Sequence, residues 1–334
     1  MFLVLFAILF ITVYLFGPTI DKLLNEAIRN QVMDEVNQGT LKFENSDERS
    51  SYINNQIQFR SKTSGLDQDS LTPSKLIHRI ISVMTFDLGK SHFFTTDYGS
   101  SNVRDIILEK VPKTLLLFTT ATICSFVIGI FLGTYVAGKE GSWWDKFNSI
   151  FAIFSNSFPS WWIAMLMILL FAFALHIFPA RATPLSSPSD PTYIVDLLYH
   201  MTLPLITLII VSFGGVAYIV RYFLINILNE DFIHAKRTIG ISPRKILYSH
   251  ALRNAGPPIA TAVGLALAAS FGGAIILEAV FDWPGMGKLY YDAIGQFDVP
   301  IIIGLTFITT VIFLVTIFIT DISYTLLDPR VKGN

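Results

Sequence analysis

Asp231–Pro258 reads DFIHAKRTIGISPRKILYSHALRNAGPP, a basic stretch with a helical rhythm set between two long apolar runs. Asp231 stands where an N-cap is expected, and Phe232, Ala235 and Ile239 fall on one helical face before Gly240. Gly240 stops that helix, because a glycine there suits a C-cap with positive φ. Ser242-Pro243 then supplies the cap and first turn of a second helix, which runs through Ile246, Leu247 and His250 to about Leu252. Pro257-Pro258 closes the loop. Lys236, Arg237, Arg244, Lys245 and Arg253 outweigh Glu230 and Asp231, so the segment is strongly basic. Two readings fit these residues: an ordinary loop obeying the charge bias of cytosolic loops, or a docking surface. The apolar face on each short helix favours docking, since something has to cover it.

Outward from this loop the chain is apolar. Of 334 residues 52% are hydrophobic and 15% charged, and the mean hydropathy is +0.55, which excludes an ordinary soluble domain. A hydrocarbon core of about 30 Å takes about 20 apolar residues as helix. Six stretches qualify: Met1–Ile20, Thr114–Gly138, Phe147 to about Leu175, Met201 to about Leu228, Ile259 to about Phe281, and Val299 to about Leu327. The fold expected is therefore an all-α polytopic membrane protein with six transmembrane helices. A long extracytoplasmic segment follows the first helix, and a cytoplasmic basic segment separates the fourth from the fifth.

Lysine and arginine in the short loops set the orientation. The 231–258 loop carries five, the loop after the second span has Lys139 and Lys146, and the tail has Arg330 and Lys332. On the opposite side, 178–200 has only Arg181 and 282–298 only Lys288. Both termini and the 231–258 loop are thus expected in the cytosol. The first run has no basic residue before it and fits either a retained helix or a cleaved signal peptide; Phe16-Gly17-Pro18-Thr19 is a poor cleavage site and favours retention. Arg221 and Asp321 lie near span ends and read as interfacial anchors before pathway residues.

The domain plan that results is 1–20 as the first span, 21–111 as an extracytoplasmic cap, and 112–334 as a five-helix membrane domain with its loop at 229–258. Within the cap, Ile20, Leu23, Leu24, Ala27, Ile28, Val32 and Val36 share one side of a helical rhythm, and Leu76–Leu88 suggests a second short helix. It reads as a cap on the spans, with or without a contact to an external binding protein. The single cysteine, Cys124, excludes a disulfide framework and a cysteine metal cage. No G-x-x-x-x-G-K-[ST] phosphate loop and no H-E-x-x-H occurs, so the chain has no visible means to hydrolyse ATP or a bond within the membrane.

The loop D-F-I-H-A-K-R-T-I-G-I-S, with His250-Ala251-Leu252-Arg253-Asn254-Ala255 after it, resembles the "B" permease subunits of ATP-binding-cassette importers of the dipeptide, oligopeptide and nickel group. Other phrases of that group recur in order. They are Asp87-Leu88-Gly89 with Ser91, Gly141-Ser142-Trp143, Ser157-Phe158-Pro159-Ser160-Trp161, Leu203-Pro204, Glu278 through Gly287, and Leu327-Asp328-Pro329-Arg330. The resemblance covers about Asp87 to the end.

It implies that the loop is the coupling helix of an importer, docking on a cytosolic ATPase through Asp231, Phe232, His234, Ala235, Lys236, Ile239, Gly240, Ile241, Ser242, Leu252, Arg253 and Asn254. The general importer pattern has an acid and two alanines where this chain has His234, Ala235 and Lys236. It also implies a second homologous permease, two ATPase subunits that bind the ATP and Mg, an extracytoplasmic substrate-binding protein and surrounding lipid. No cofactor or metal in this chain and no nucleic acid are expected. The solute implied is a dipeptide or oligopeptide, with nickel and oligosaccharides open as alternatives.

Pathway candidates are Ser157, Phe158, Pro159, Trp161, Ser212 and Ser270. Like Gly129, Gly133 and Gly214-Gly215, such residues more often serve helix packing. The rival reading, a secondary transporter or channel, needs its own charged site at mid-membrane.

Overall fold

The computed structural model describes residues 25–26, 28–37, 43, 45–63, 81–82, 84–91, 93–296 and 298–327, with side chains as far as 318. The predicted first span and the end of the tail lie outside the described residues. The chain divides into two compact units, Met1–Leu108 with Asp292–Val311, and Glu109–Tyr291 with Ile312–Asn334.

In the first unit helix α1 (28–37) buries Ile28, Val32 and Val36, the part of the predicted rhythm that falls on described residues. Helix α2 (Ser46–Thr63) lays Ile53 and Ile57 against it. This helix has almost no apolar stripe, so periodicity gives no sign of it. Its acids Asp47 and Glu48 in the first turn and Arg60 and Lys62 in the last complement the helix dipole instead. Arg60 grips Glu35 with two bonds of 3.0 and 2.6 Å, a partly exposed pair worth at most about 1 kcal/mol. Of the predicted Leu76–Leu88 helix only 81–82 and 84 are described as helical, and the chain turns at Thr85. Asp298 caps helix α12 (Val299–Leu327) through Ile301 N–H and takes further bonds from Ser91 Oγ at 2.6 Å and Phe93 N–H at 3.2 Å. Ser91 belongs to the phrase quoted above.

Among the described residues three helices are long and apolar enough to cross a membrane: α3 (Val103–Ala137), α6 (Tyr193–Leu228) and the Val299–Phe318 part of α12. The third and fifth predicted spans are each helical but broken by a sharp bend. Helix α4 (Trp143–Ser157) meets α5 (Ser160–Ala174) at 99°, and α9 (Gly256–Ser270) meets α10 (Ile275–Phe281) at 65°. If each bent pair is one span, the described residues hold up to five spans. The first break is dictated by Pro159, which lacks an N–H and forces Phe158 into an extended conformation, φ −103 and ψ 141. At the second break Gly273 takes φ +63, a left-handed turn that costs glycine nothing. Helices α3 and α6 begin earlier than hydropathy places the second and fourth spans, because a polar helical turn carries no apolar signal.

Helix α6 packs against both α3 and α4 through small residues. A Cβ on Gly133 would lie 2.9 Å from Val220 Cβ, and one on Gly215 would lie 3.0 Å from Asn156 Nδ2. These glycines therefore act in close helix packing. Arg221, expected as an interfacial anchor, instead forms a two-pronged pair with the buried Asp145 of α4. Nε and Nη2 both donate, the latter at 2.7 Å, and Gly141 N–H adds a bond at 2.9 Å. A charge inside a bundle is retained where a partner neutralises it.

Candidate coupling site and transmembrane cavity

Helix α7 (Asp231–Thr238) follows α6 after a short turn. Its N-cap position is Glu230, extended at ψ 147, so Asp231 is the first helical residue and not the cap; no side chain closes this end. An acid in the first turn still favours the helix electrostatically. The buried residue of α7 is Ile233, fully covered, whereas Phe232, Ala235 and Ile239 face outward and Ile239 is 75% exposed. The apolar face read from spacing thus exists, but Ile233 anchors the helix and the face itself is left uncovered. His234 and Thr238 are also exposed.

Gly240 ends α7 at φ +82. Its N–H bonds Arg237 O at 3.0 Å and the N–H of Ile241 bonds Lys236 O at 3.1 Å, the two nested bonds of a Schellman ending. Ser242 stands extended at ψ 142 with Pro243 as the first helical residue. Helix α8 then runs without a break through Pro243–Lys245, the wider turn Ile246–Ala251 and Leu252–Asn254. Ile246, Leu247 and Ala251 are buried, and Leu247 and Ala251 join Val220, Leu224, Ala255 and Ile259 in one cluster. Leu252 is half-buried, and Arg253 and Asn254 are exposed. The elbow is fixed to the ends of the spans along one side and open along the other.

Lys236, a departure from the importer pattern, has a partner across the elbow. Its Nζ lies 2.8 Å from His250 Nδ1 and 5.6 Å from the Phe232 ring centre. A neutral imidazole accepts this bond. Desolvation and then the charges of Lys236 and Lys245 hold His250 below its ordinary value of 6.5. Since the folded value is the depressed one, the contact stabilises the elbow above the ordinary value and weakens as pH falls through it. The His250→Gln variant, which accepts without titrating, should gain thermal stability relative to the wild type between pH 7.5 and 5.5. Identical pH dependence of the two melting temperatures would rule this out.

A cavity of about 620 Å³ opens between α3, α4, α6 and α9. Thr122, Ser125, Asn156 and Ser212 interrupt a wall otherwise made of apolar residues such as Phe126, Ile153 and Val216. The Ser125 hydroxyl is buried with no hydrogen-bond partner among the described residues. Of the six pathway candidates only Ser212 lines this space. Ser157, Phe158, Pro159 and Trp161 build the α4–α5 break, with Phe158 stacked on Trp162 at 4.8 Å. Ser270 is buried in contact with Thr119 Oγ1 at 3.4 Å and donates to Leu267 O. Asn156 and Ser125 share one wall with Ser212 only because four helices meet there.

Beyond the second break, Glu278 of α10 is fully buried. Thr114 Oγ1 bonds its carboxyl group at 3.1 Å, and Gly287 and Lys288 N–H at 2.8 and 3.3 Å. Thr114 in turn accepts from Met286 N–H at 2.7 Å. The carboxyl so caps α11 (Met286–Gln296). A Cβ on Gly273 or Gly287 would lie 2.7 and 2.9 Å from its atoms, which is why those positions carry no side chain. Trp283, also fully buried, donates Nε1–H to Lys113 O at 3.1 Å. The turn at Trp283–Gly285 leads into α11, which is amphipathic, with Leu289 and Ala293 buried and Ile294 facing outward.

Residues 127–333 match the family described as the binding-protein-dependent transport system inner membrane component. That match takes in the bent spans, the elbow and the Glu278 cap together. The chain belongs to this family.

Among similar proteins, the dipeptide transport system permease protein DppB of Bacillus subtilis (strain 168) is 33% identical over 251 residues, 75% of this chain and 76% of that one. The oligopeptide transport system permease protein AppB of the same organism is 31% identical over 242 residues, 71% and 76% of the two chains. A solved structure of the MetNI methionine ABC transporter, in an inward-facing conformation, aligns at a TM-score of 0.50 and 18% identity over 67% of this chain and 96% of that one. At that identity it shows a shared fold. This member of the permease family is thus a multi-pass inner-membrane component of a transport system.

Proposed function

We propose that this chain is one half of the translocation pathway of a peptide importer, driven by separate ATPase subunits. The observation that carries the reading is the elbow at Gly240, anchored on its inner side by Ile233, Ile246 and Leu247 while Phe232, Ala235 and Ile239 are left uncovered. An apolar ridge is suited to a groove on a soluble motor subunit, and its attachment to α6 and α9 carries movement into the spans. The peptide cargo rests on the names of the relatives and on a cavity that mixes apolar walls with a few hydroxyl and amide groups, a lining suited to diverse side chains.

In this reading six spans leave both termini in the cytosol, a second homologous permease completes the pathway, two ATPases bind ATP and Mg, and an external binding protein delivers the peptide. The chain itself performs no hydrolysis. The test is uptake of labelled di- and oligopeptides into vesicles holding the assembled complex, with ATP inside or absent. ATP-dependent accumulation is expected, and uptake that ignores ATP but follows an ion gradient would replace the reading by the secondary-transporter alternative.

The cavity gives a narrower expectation. Ser212→Phe should fill the wall and lower peptide uptake by roughly tenfold while the ATPases still co-purify. Undiminished uptake would take Ser212 off the pathway.

A further inference from the structure

A second cavity, of about 660 Å³, lies under the elbow where α3 and α6 end, between Tyr135–Glu140, Leu228–Asn229 and the Arg237–Tyr248 stretch. Its lining combines three kinds of group. Leu228 and Leu247 give an apolar floor, Lys139, Arg237 and Arg244 bring three cations, and Tyr135 and Tyr248 contribute phenols. Arg237 stands one turn after the buried Ile233, so its stem rises from the anchored side of α7 and not from the ridge of Phe232, Ala235 and Ile239. No carboxylate pairs with Arg237 or Arg244 among the described residues, and Glu140, the acid on the lining, is paired with none of the three cations. The Lys139 ammonium donates to Tyr135 Oη at 2.6 Å and lies 4.5 Å from that ring's centre, so it is held at the mouth.

We infer that this cavity is a binding site for the phosphodiester headgroup of an anionic phospholipid. Two long apolar helices end at it, which fixes its depth at the boundary between acyl chains and headgroups. At that depth an apolar floor receives the start of the acyl chains, cations meet the phosphate, and tyrosines take the amphipathic layer between them. A free phosphate satisfies the cations but leaves the floor wet. The lipid lies beneath both arms of the elbow and holds α7 and α8 at the membrane surface. The site follows from where the spans end, and so stands whether or not the chain imports peptides.

The assembled transporter, titrated with phosphatidylglycerol and separately with phosphatidylcholine, provides the test by native mass spectrometry. Each cation near an anionic surface multiplies occupancy roughly fivefold, so the Lys139→Gln, Arg237→Gln, Arg244→Gln triple variant should lose phosphatidylglycerol on the order of 100-fold. Phosphatidylcholine binding and ATPase co-purification should not change. The single Arg244→Gln variant, at an exposed position, guards against misfolding and should lose roughly fivefold. Equal phosphatidylglycerol retention by wild type and both variants would overturn the proposal. Loss of the ATPases with lipid retained would assign the cations to the motor interface and overturn it too. Displacement of the lipid by millimolar inorganic phosphate would show that the phosphate alone is recognised, and would sink the lipid assignment.

Discussion

Gly240→Val should lower ATP-driven uptake by roughly 5- to 30-fold while the chain remains in the membrane. The residue stands at φ +82, and nothing lies within 4 Å of where its Cβ would be, so a side chain there meets no neighbour. The cost is purely conformational. A left-handed backbone costs an ordinary L-residue about 1–2 kcal/mol, and a β-branched residue is the least able to adopt it. Relaxation would undo the two nested bonds to Lys236 O and Arg237 O and turn the exposed ridge away from its present direction. Gly240→Asn is the discriminating control, because asparagine tolerates this conformation and should keep most of the uptake. Uptake and co-purification of the ATPases, measured on both variants, check the claim. If valine and asparagine behave alike, the effect is not one of backbone conformation. If valine leaves uptake unchanged, the elbow is not where force enters.

Glu278→Ala should destabilise the folded chain by about 2–5 kcal/mol, whereas Glu278→Gln should remain within about 1 kcal/mol of the wild type. Alanine leaves Gly287 N–H, Lys288 N–H and the Thr114 hydroxyl buried without their acceptor, and each such orphan costs about 1–3 kcal/mol less whatever relaxation recovers. Glutamine keeps one oxygen for the two backbone donors. Its amide nitrogen turns to Thr114, whose oxygen has a second lone pair to offer. The measurement is the thermal midpoint of the solubilised complex, together with protease cleavage across 271–288. An alanine variant that melts with the wild type would show the carboxyl to be dispensable. Combining Thr114→Ala with Glu278→Gln should give less than the sum of the two single effects, since both act on one cluster.

Hydropathy and loop charge, read along the chain, established the membrane class, the position of the long spans and the basic elbow with its glycine. Each of these depends on residues near one another in sequence: a window of apolar side chains, a proline or glycine whose own φ is constrained, a serine ahead of a proline. The same locality sets the limit. Phe232 and Ile233 are adjacent and equally apolar, and only the seating of α7 on the body decided that Ile233 is covered and Phe232 is not. The sharp angles of the third and fifth spans, 99° and 65°, depend on what the second arm of each pair packs against, although Pro159 and Gly273 mark the places.

Most of the charge pairing was out of reach for the same reason. Arg221 finds Asp145 across 76 residues, and Glu278 finds Thr114 across 164. A charged residue read alone in an apolar run has no visible partner, so it looks like an anchor or a pathway group. Ser125, Asn156 and Ser212 likewise share a cavity wall because α3, α4 and α6 meet there. What the linear chain determined is where helices form and end, since that is set by local backbone and solvation energies; which side chains become neighbours was decided by packing alone, through contacts between segments far apart in sequence.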